Sequence, residues 1–293
     1  MRKIPLIIAS IVSVVIFLVA CSKTDTSATG TTIYTAITAA FGSEINLNNL
    51  ANYAAQTKPA YIVKDNTGNN PITNAKATLG RVLFYDKNLS IDNTIACASC
   101  HKQAFAFSDT ALISAGVAGG LTDRHSMRLV NERFAVESKF FWDERATSLE
   151  NQTTQPIANH DEMGFSGQTG RANIAALLTK LQGIDYYKEL FKFTYGDITV
   201  TEPRLQECLA QFVRSIQSFD SKYDAGRAQV NNDRQPFPNF TAQENDGKDL
   251  FLTPPVFDGN SSRIGGGLGC NGCHNAPEFD IDPNTRNNGV IAL

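Results

Sequence analysis

The sequence has no dense run of lysine or arginine, and its 26 basic residues are outnumbered by 29 acidic ones. Proteins that bind nucleic acid concentrate positive charge on one surface, so this absence excludes that class of partner. Histidine, methionine and tryptophan are also scarce, at 4, 3 and 1 residues, so each can be assessed individually. Strand-like alternation is rare. A hydrophobic fraction of 42% in 293 residues still predicts a folded chain with a real core.

One long hydrophobic run is present, at the N-terminus. Two basic residues precede an apolar stretch over 4–20, and Cys21 follows it. This is the layout of an export signal, and an uncleaved membrane anchor is the alternative because the run is only slightly shorter than a span. The letters LVAC at its end resemble a bacterial lipobox. We therefore predict a lipoprotein signal peptide over 1–20, lipidation of Cys21, a flexible tether over 21–33, and a periplasmic body anchored to a membrane by lipid.

Four of the six cysteines fall into two C-x-x-C-H motifs. This motif is a signature of covalent haem attachment, in which two thiols bond the porphyrin and the histidine ligates the iron. A single four-thiolate zinc site is the alternative. The long separation of the pairs, the histidine after each and the exported location favour two covalently bound haem c groups. The expected attachment and ligand residues are Cys97, Cys100 and His101, and Cys270, Cys273 and His274.

The two motifs share a longer repeated plan, with Gly-x-x-Leu-Phe, a polar loop and then C-x-x-C-H, over 79–101 and again over 246–274. A repeat of this kind indicates two copies of one structural unit. We therefore predict a mainly α-helical protein with two cytochrome c-like haem domains. The N-terminal domain is expected over 34–230 and the C-terminal domain over 231–293, with the boundary in a stretch rich in asparagine and proline.

Three helices are predicted from apolar periodicity and capping residues. The first covers 170–190 as one amphipathic helix. The second begins after Thr201 and carries an apolar stripe that runs to Phe219 and includes Cys208, which is expected to be a buried core thiol. The third covers 242–251 after Thr241.

A series of short stretches surrounds and follows the first motif: LFYDKNLS, CASCH, SAGVAGG, RLVN, FFWDERATSLE, QPI and DEMGF. In order and spacing they resemble the bacterial di-haem cytochrome c peroxidases and their MauG relatives. The resemblance covers the chain from about Asn70 onward. It implies that His101 is the proximal iron ligand and that Glu162 and Gln152 are the distal acid-base carboxylate and amide. It also implies that Trp142 lies between the haems and helps electrons to pass.

Two departures from the family pattern bear on mechanism. Members that rest in a closed form carry a histidine at the position of Val117, and valine cannot ligate iron, so we expect a first haem that is open without reductive activation. His125 matches by spacing an asparagine that helps to hold calcium between the domains. We expect His125 to be structural and not an iron ligand, and calcium is only weakly supported. His160 is expected to lie outside the ligand shell.

The resemblance implies an exported enzyme that reduces hydrogen peroxide to water at the first haem. Electrons are expected from a small donor protein, a cytochrome c or a cupredoxin, through the second haem. The alternatives are a MauG-like oxidase of a protein side chain and a non-enzymatic di-haem electron carrier. Glu162 and Gln152 favour an enzyme, because a carrier has no use for a distal acid beside an open iron. The sequence does not specify the oligomeric state, and a homodimer is left open.

The residues after the second motif carry no evident iron ligand, since 275–293 contain no Met, His, Cys, Lys or Tyr. In relatives that use methionine on the second haem, this ligand lies well beyond the motif. Met127 and Met163 belong by sequence to the first domain. We therefore expect a C-terminally truncated chain with an incomplete second domain, whose second iron is high-spin or heterogeneous and receives electrons poorly.

Overall fold

The computed structural model describes residues 32–136 and 139–281, so the predicted signal peptide, Cys21 and most of the tether lie outside the described residues. This part of the chain is rich in helix, as predicted, and its strands form two short antiparallel hairpins. The helices are α1 (Thr35–Phe41), α2 (Asn74–Tyr85), α3 (Cys97–Cys100), α4 (Leu149–Thr153), α5 (Gln155–Ala158), α6 (Ile174–Gln182), α7 (Asp185–Tyr195), α8 (Glu202–Arg214), α9 (Lys222–Arg227) and α10 (Ala242–Leu252). The strands are β1 (Pro255–Phe257), β2 (Arg263–Gly266), β3 (His274–Asn275) and β4 (Asp280–Ile281).

Helices α2 and α8 pack against each other and supply much of the main hydrophobic core. They approach closely at Gly80, where a Cβ atom would overlap the carbonyl oxygen of Cys208. The Cys208 side chain is fully buried, and its Sγ lies 3.2 Å from the hydroxyl of Tyr195. The prediction of a core thiol is therefore confirmed.

Helix α8 begins as predicted, because the Thr201 hydroxyl accepts a hydrogen bond from the Arg204 backbone N–H. It ends sooner than the predicted apolar stripe, at Arg214. Beyond that residue, the Asn131 backbone N–H donates to the Ile216 carbonyl, and the Asn131 side chain bonds both the N–H and the carbonyl of Ser218. These bonds hold the chain outside the helix, so the prediction that the stripe continues along one helix to Phe219 is wrong.

The single helix predicted over 170–190 is in fact two helices, α6 and α7, separated at Gly183 and Ile184. Asn173 caps α6 through a side-chain hydrogen bond to the backbone N–H of Ala176. Glycine has a low helix propensity, and Asp185 is favourable in the first turn of a new helix. These local signals outweigh the continuous apolar periodicity.

The second repeat begins with α10, whose Thr241 and Glu244 form a reciprocal capping box, so the predicted start is confirmed. The polar loop expected after this helix contains the β1–β2 hairpin, which the sequence analysis did not predict. The described residues from Tyr34 onward form one compact unit, and the boundary near residue 230 stays a prediction. Lys64 joins the early chain to this region, with its Nζ 2.7 Å from Asp280 Oδ1.

None of the helices within residues 32–136 and 139–281 is long and apolar enough to cross a bilayer.

Candidate active site

One cavity gathers every residue predicted to act at the first haem. With its solvent-filled mouth included, the space measures about 1360 Å³. Its walls combine apolar side chains from α2, α4 and α8 with the loops between residues 115 and 145. The predicted residues that line it are Cys97, Cys100, His101, Trp142, Gln152 and Glu162.

His101 is held in the tautomer that a haem ligand requires. Its Nδ1 lies 2.8 Å from the carbonyl oxygen of Phe107. A carbonyl only accepts hydrogen bonds, so Nδ1 carries the hydrogen and the lone pair is on Nε2. Burial lowers the pKa of His101 below its usual value, against the raising effect of the Phe107 carbonyl. The imidazole is therefore neutral at physiological pH, which is the form that ligates metal.

The thiols of the first motif are unpaired and lie on the short helix α3. Burial raises the pKa of Cys97 to about 12 and also raises the pKa of Cys100. The Phe84 ring, from the Leu-Phe pair that ends α2, lines the same cavity and lies 6.5 Å from the His101 ring, centroid to centroid. Two free thiols, a neutral histidine and an apolar wall fit a covalently attached haem.

The backbone around Glu162 is fixed on both sides. The Asn159 side-chain oxygen accepts hydrogen bonds from the backbone N–H groups of Asp161 and Glu162, at 2.9 and 3.2 Å. The Glu162 carbonyl accepts from the Val117 backbone N–H at 3.1 Å. A Cβ atom at Gly116 would overlap the Asp161 carbonyl, so glycine is needed for this close approach. These contacts position the Glu162 side chain at the cavity.

Burial raises the pKa of Glu162 to about 7, with smaller raising effects from the charges of Asp123 and Asp161. The nearby charge of Arg145 opposes this shift. A carboxyl group with a pKa near physiological pH can both accept and donate a proton, which is the property that general acid-base catalysis requires. The geometry thus places a carboxyl group that can titrate near pH 7 in the same cavity as the histidine expected to ligate iron.

Gln152 is carried by α4, and a buried ionic network fixes this helix. The guanidinium of Arg214 in α8 pairs with the Glu150 carboxylate, and Asn70 donates to Glu150 Oε1 at 2.9 Å. The nitrogen Nε of Arg214 also donates to Asn66 Oδ1 at 2.9 Å. Burial opposes ionisation of Glu150, but the bonds from Arg214 and Asn70 outweigh it and lower its pKa.

Trp142 lies in a tight turn between Phe140 and Ala146. The backbone N–H of each of these two residues donates to the carbonyl oxygen of the other, at 2.9 and 3.3 Å. Its indole N–H donates to the His125 carbonyl at 2.8 Å, so one edge of the ring is fixed. Arg145 stacks over the Phe141 ring, with its guanidinium carbon 3.5 Å from the ring centroid. Both Trp142 and Arg145 line the cavity.

Val117 and His125 are the two residues that bear on whether a side chain could close the iron site. The Val117 side chain is buried to 1% exposure and has no ligating atom. Both ring nitrogens of His125 are within bonding distance of protein atoms, Nε2 at 3.1 Å from the Ser108 hydroxyl and Nδ1 at 2.9 Å from the Ala111 carbonyl. His125 therefore has a structural role in this arrangement.

His160 is not among the residues that line the cavity. Its Nδ1 is 3.0 Å from the Ser166 hydroxyl, as expected for a residue outside the ligand shell. Met127 and Met163, which were expected to belong to the first domain, both line this cavity.

The second C-x-x-C-H motif follows the β1–β2 hairpin. Cys270 begins a short 3₁₀ turn, and His274 opens β3, which pairs with β4. Cys270 and Cys273 are unpaired thiols, and Cys273 and His274 are exposed. The neighbouring Leu268 is 61% exposed. Free thiols, an accessible imidazole and nearby apolar surface also fit haem attachment here.

The zinc alternative fails on geometry. Among the described residues, no three side chains of the types His, Cys, Asp and Glu converge on a metal-sized site. The two cysteine pairs therefore do not meet as one thiolate cluster.

Some residues that shape the site gave no signal in the sequence analysis. The Phe107 carbonyl orients His101, Asn159 holds the backbone at Glu162, and Arg145 acts on the charge of Glu162. Phe107 and Asn159 act through hydrogen bonds within loops, and hydrophobic periodicity gives no information on such bonds. Arg145 lies within the FFWDERATSLE stretch, three residues after the only tryptophan of the chain, and this stretch is the signal available for it.

The family described as di-haem cytochrome c peroxidase matches residues 74–232 of this chain. The methylamine utilization protein MauG of Methylophilus methylotrophus is 34% identical over 155 residues, which are 53% of this chain and 44% of that protein. The cytochrome c551 peroxidase of Nitrosomonas europaea is 28% identical over 201 residues, which are 69% of this chain and 52% of that protein.

Among solved structures, a MauG-like protein associated with microbial copper homeostasis is similar at a TM-score of 0.56 and 25% identity. The similarity covers 80% of this chain and 62% of that one. The chain spans about half the length of the curated relatives that it matches. The matched residues include the first motif and all of the residues predicted to act at its cavity.

Proposed function

Because this chain belongs to the di-haem cytochrome c peroxidase family, we propose that it reduces hydrogen peroxide to water at the cavity beside the first motif. The observation that carries the proposal is Glu162, a largely buried carboxyl group with a pKa raised to about 7 that lines the same cavity as His101. A pure electron carrier does not need a titratable carboxyl group there. The overall reaction consumes two electrons and two protons for each peroxide and forms two waters.

The haem would be bonded to Cys97 and Cys100 and ligated by Nε2 of His101. When bound, it supplies the iron at which the peroxide O–O bond is cleaved and the electrons for that cleavage. The Phe107 carbonyl maintains the His101 tautomer and increases the basicity of the ligand. Val117 contributes no ligating atom on the loop that is hydrogen-bonded to Glu162, so its side chain would not compete with peroxide for the metal.

Glu162 would move the proton. As a carboxylate it takes a proton from the near oxygen of peroxide, and it then gives that proton to the distal oxygen as the O–O bond breaks. Gln152 is proposed to orient the peroxide through its side-chain amide, on the helix that the Arg214–Glu150 pair holds. Trp142 is proposed to assist electron passage between the two haems, with its ring orientation fixed by the His125 carbonyl.

The second motif would hold a haem on Cys270 and Cys273 with His274 as ligand, and this haem would receive electrons from a small cytochrome c or a cupredoxin. Export to the periplasm and lipid anchoring at Cys21 are further parts of the proposal that rest on the sequence alone. Dimerisation and calcium binding stay open.

A second candidate function is the oxidation of a protein side chain. The similarity to the MauG protein of Methylophilus methylotrophus supports it. The two functions differ in their reductant: a peroxidase oxidises a small redox protein in many turnovers, whereas a side-chain oxidase consumes its protein substrate.

The test begins with intact-mass measurement of the mature, haem-loaded protein, which should show two haems. Peroxide consumption is then followed with a reduced small cytochrome as donor. Wild-type protein and a Glu44→Gln control, which alters an exposed carboxyl outside the cavity, should turn over alike. Glu162→Gln should keep both haems and lose turnover. Donor oxidation that does not depend on peroxide, or unchanged turnover in Glu162→Gln, would contradict the proposal.

A further inference from the structure

Two neighbouring tyrosines share one carboxylate oxygen beside the first motif. The hydroxyls of Tyr186 and Tyr187 each donate to Oδ2 of Asp86, both at 2.7 Å. The two rings lie close together, with their centroids 4.7 Å apart. Asn88 donates to Tyr186 Oη at 3.0 Å and to Asp86 Oδ1 at 3.0 Å. The Asp86 carboxylate is thus within proton-transfer reach of both phenols.

The pair connects the first motif to the surface. Tyr187 is fully buried and lies within electrostatic range of Cys97, one of the two thiols that would carry the first haem. Tyr186 is only partly buried. Asp86 directly follows α2, whose Phe84 lines the cavity. A buried phenol near the motif and a phenol partly exposed to solvent are thus joined through one carboxylate.

Burial and the Asp86 carboxylate raise the pKa of both phenols above the usual tyrosine value. Both therefore stay protonated at any physiological pH. A phenol that loses an electron becomes a strong acid, so its oxidation is easy only where a base is already hydrogen-bonded to it. Packing alone would not require two phenols on one carboxylate oxygen, since a buried tyrosine needs one acceptor.

We propose that Tyr187 and Tyr186 form a redox-active pair that supplies an electron to the first haem after peroxide has oxidised it, when no donor protein is available. The proposal rests on the proposed peroxidase function. Hydrogen peroxide is the oxidant and is reduced to water. In the first step Tyr187 gives one electron to the haem site and its hydroxyl proton to Asp86 Oδ2, leaving a neutral tyrosyl radical and a protonated Asp86.

In the second step the radical moves outward. Tyr186 gives an electron to the Tyr187 radical and its own hydroxyl proton to Asp86, while Asp86 returns the first proton to Tyr187. The net result is an intact Tyr187, a radical on Tyr186 and one proton held by Asp86. A small one-electron reductant in solution, such as a thiol or ascorbate, can then reduce the radical at the partly exposed ring while Asp86 returns the proton, so that the oxidising equivalent does not damage the haem site.

The test mixes the holoprotein rapidly with peroxide in the absence of donor, freezes it, and records electron paramagnetic resonance. Wild type should give a tyrosyl radical signal, and Tyr187→Phe should lose it. Tyr186→Phe should keep a signal with an altered line shape, because the radical then stays on Tyr187. Tyr195→Phe is the matched control on the same helix, with its hydroxyl bonded near Cys208 instead, and should match wild type.

A further variant separates proton transfer from hydrogen bonding. Asp86→Asn keeps an oxygen that accepts from the phenols but cannot take up their protons at neutral pH, so it should lose the signal while haem content and absorption stay unchanged. A wild-type-like signal in Asp86→Asn or in the Tyr186→Phe/Tyr187→Phe double variant would overturn the proposal. Normal donor-driven turnover without any tyrosyl signal in wild type would also overturn it and leave the peroxidase assignment standing. Absence of both turnover and signal would overturn the peroxidase function and the tyrosine pair together.

Discussion

The backbone N–H of Val117 donates to the carbonyl oxygen of Glu162 at 3.1 Å. In family members that rest in a closed form, the position of Val117 carries the histidine that closes the iron site. Here the bond joins this position to Glu162, the residue proposed to move the proton. The Val117 side chain is buried at 1% exposure, so the loop packs in place through an apolar residue. We therefore expect that no loop movement is needed before peroxide reaches a metal held by His101.

The first prediction concerns access to the oxidised first haem. Wild-type ferric protein should bind cyanide promptly on rapid mixing, because Val117 cannot occupy the iron. Val117→His should bind cyanide more slowly, since an imidazole can ligate the iron and must first dissociate. Val117→Leu keeps an apolar side chain and should bind like wild type. Slow binding in wild type that becomes fast only after one-electron reduction would show that another side chain closes the site.

The second prediction is a pH profile. With its pKa raised to about 7 by burial, Glu162 is protonated below that pH and cannot accept the peroxide proton. The value of kcat/KM for peroxide should therefore rise with pH through a midpoint near 7 and should not fall there. Glu162→Gln should lower kcat/KM by about a hundred- to ten-thousand-fold and remove this midpoint. A profile with the same midpoint in the variant would assign the titration to another group.

Much of this site was predictable because its chemistry is local in sequence. Each C-x-x-C-H motif brings two thiols and a histidine together within five residues, and α10 begins directly after Thr241, as its capping signal indicated. The start of α8 at Thr201 is predictable for the same reason. Periodicity alone did not locate the break between α6 and α7 at Gly183. It also did not locate the end of α8, after which the Asn131 side chain accepts a hydrogen bond from the Ser218 backbone N–H.

The parts that could not be predicted depend on contacts between distant residues. The raised pKa of Glu162 depends on its burial in the folded chain. The pairing of Tyr186 and Tyr187 with Asp86 spans 100 residues or more. Sequence spacing contains no information on such approaches, so only the folded chain reveals them.

The third prediction concerns the buried ion pair that holds α4. Arg214→Ala removes the partner of the Glu150 carboxylate, and breaking a buried pair in this way should reduce the free energy of unfolding by about 3–5 kcal/mol. Arg204→Ala is the comparison variant, because its partner Asp197 is 50% exposed and a solvent-screened pair contributes much less than a buried one. Denaturant unfolding of the holoproteins measures both changes.

The same pair makes a pH-dependent contribution to stability. The pKa of Glu150 is lowered in the folded state, so its contribution is present above the ordinary carboxyl pKa and is lost as pH falls through the folded value. The stability difference between wild type and Arg214→Ala should accordingly shrink on acidification. Equal effects of Arg214→Ala and Arg204→Ala at neutral pH would contradict this account of the network.

The fourth prediction compares two helical glycines. Gly80→Ala places a Cβ atom into the Cys208 carbonyl, so α2 and α8 must separate and the free energy of unfolding should fall by about 1–3 kcal/mol. Gly247→Ala in α10 meets nothing within 4 Å and should raise the free energy of unfolding by about 0.5–1 kcal/mol. A stabilising Gly80→Ala would show that the helices do not approach as described.

The central claim is that peroxide is reduced at the first motif with electrons that arrive one at a time from a donor protein. The most direct measurement is the stoichiometry of a small reduced cytochrome against hydrogen peroxide, in the presence of catalytic amounts of the haem-loaded protein and without oxygen. The account predicts that two cytochromes are oxidised for each peroxide consumed, and that this oxidation is lost in Glu162→Gln. Peroxide consumption without donor oxidation, or donor oxidation that Glu162→Gln leaves intact, would contradict it.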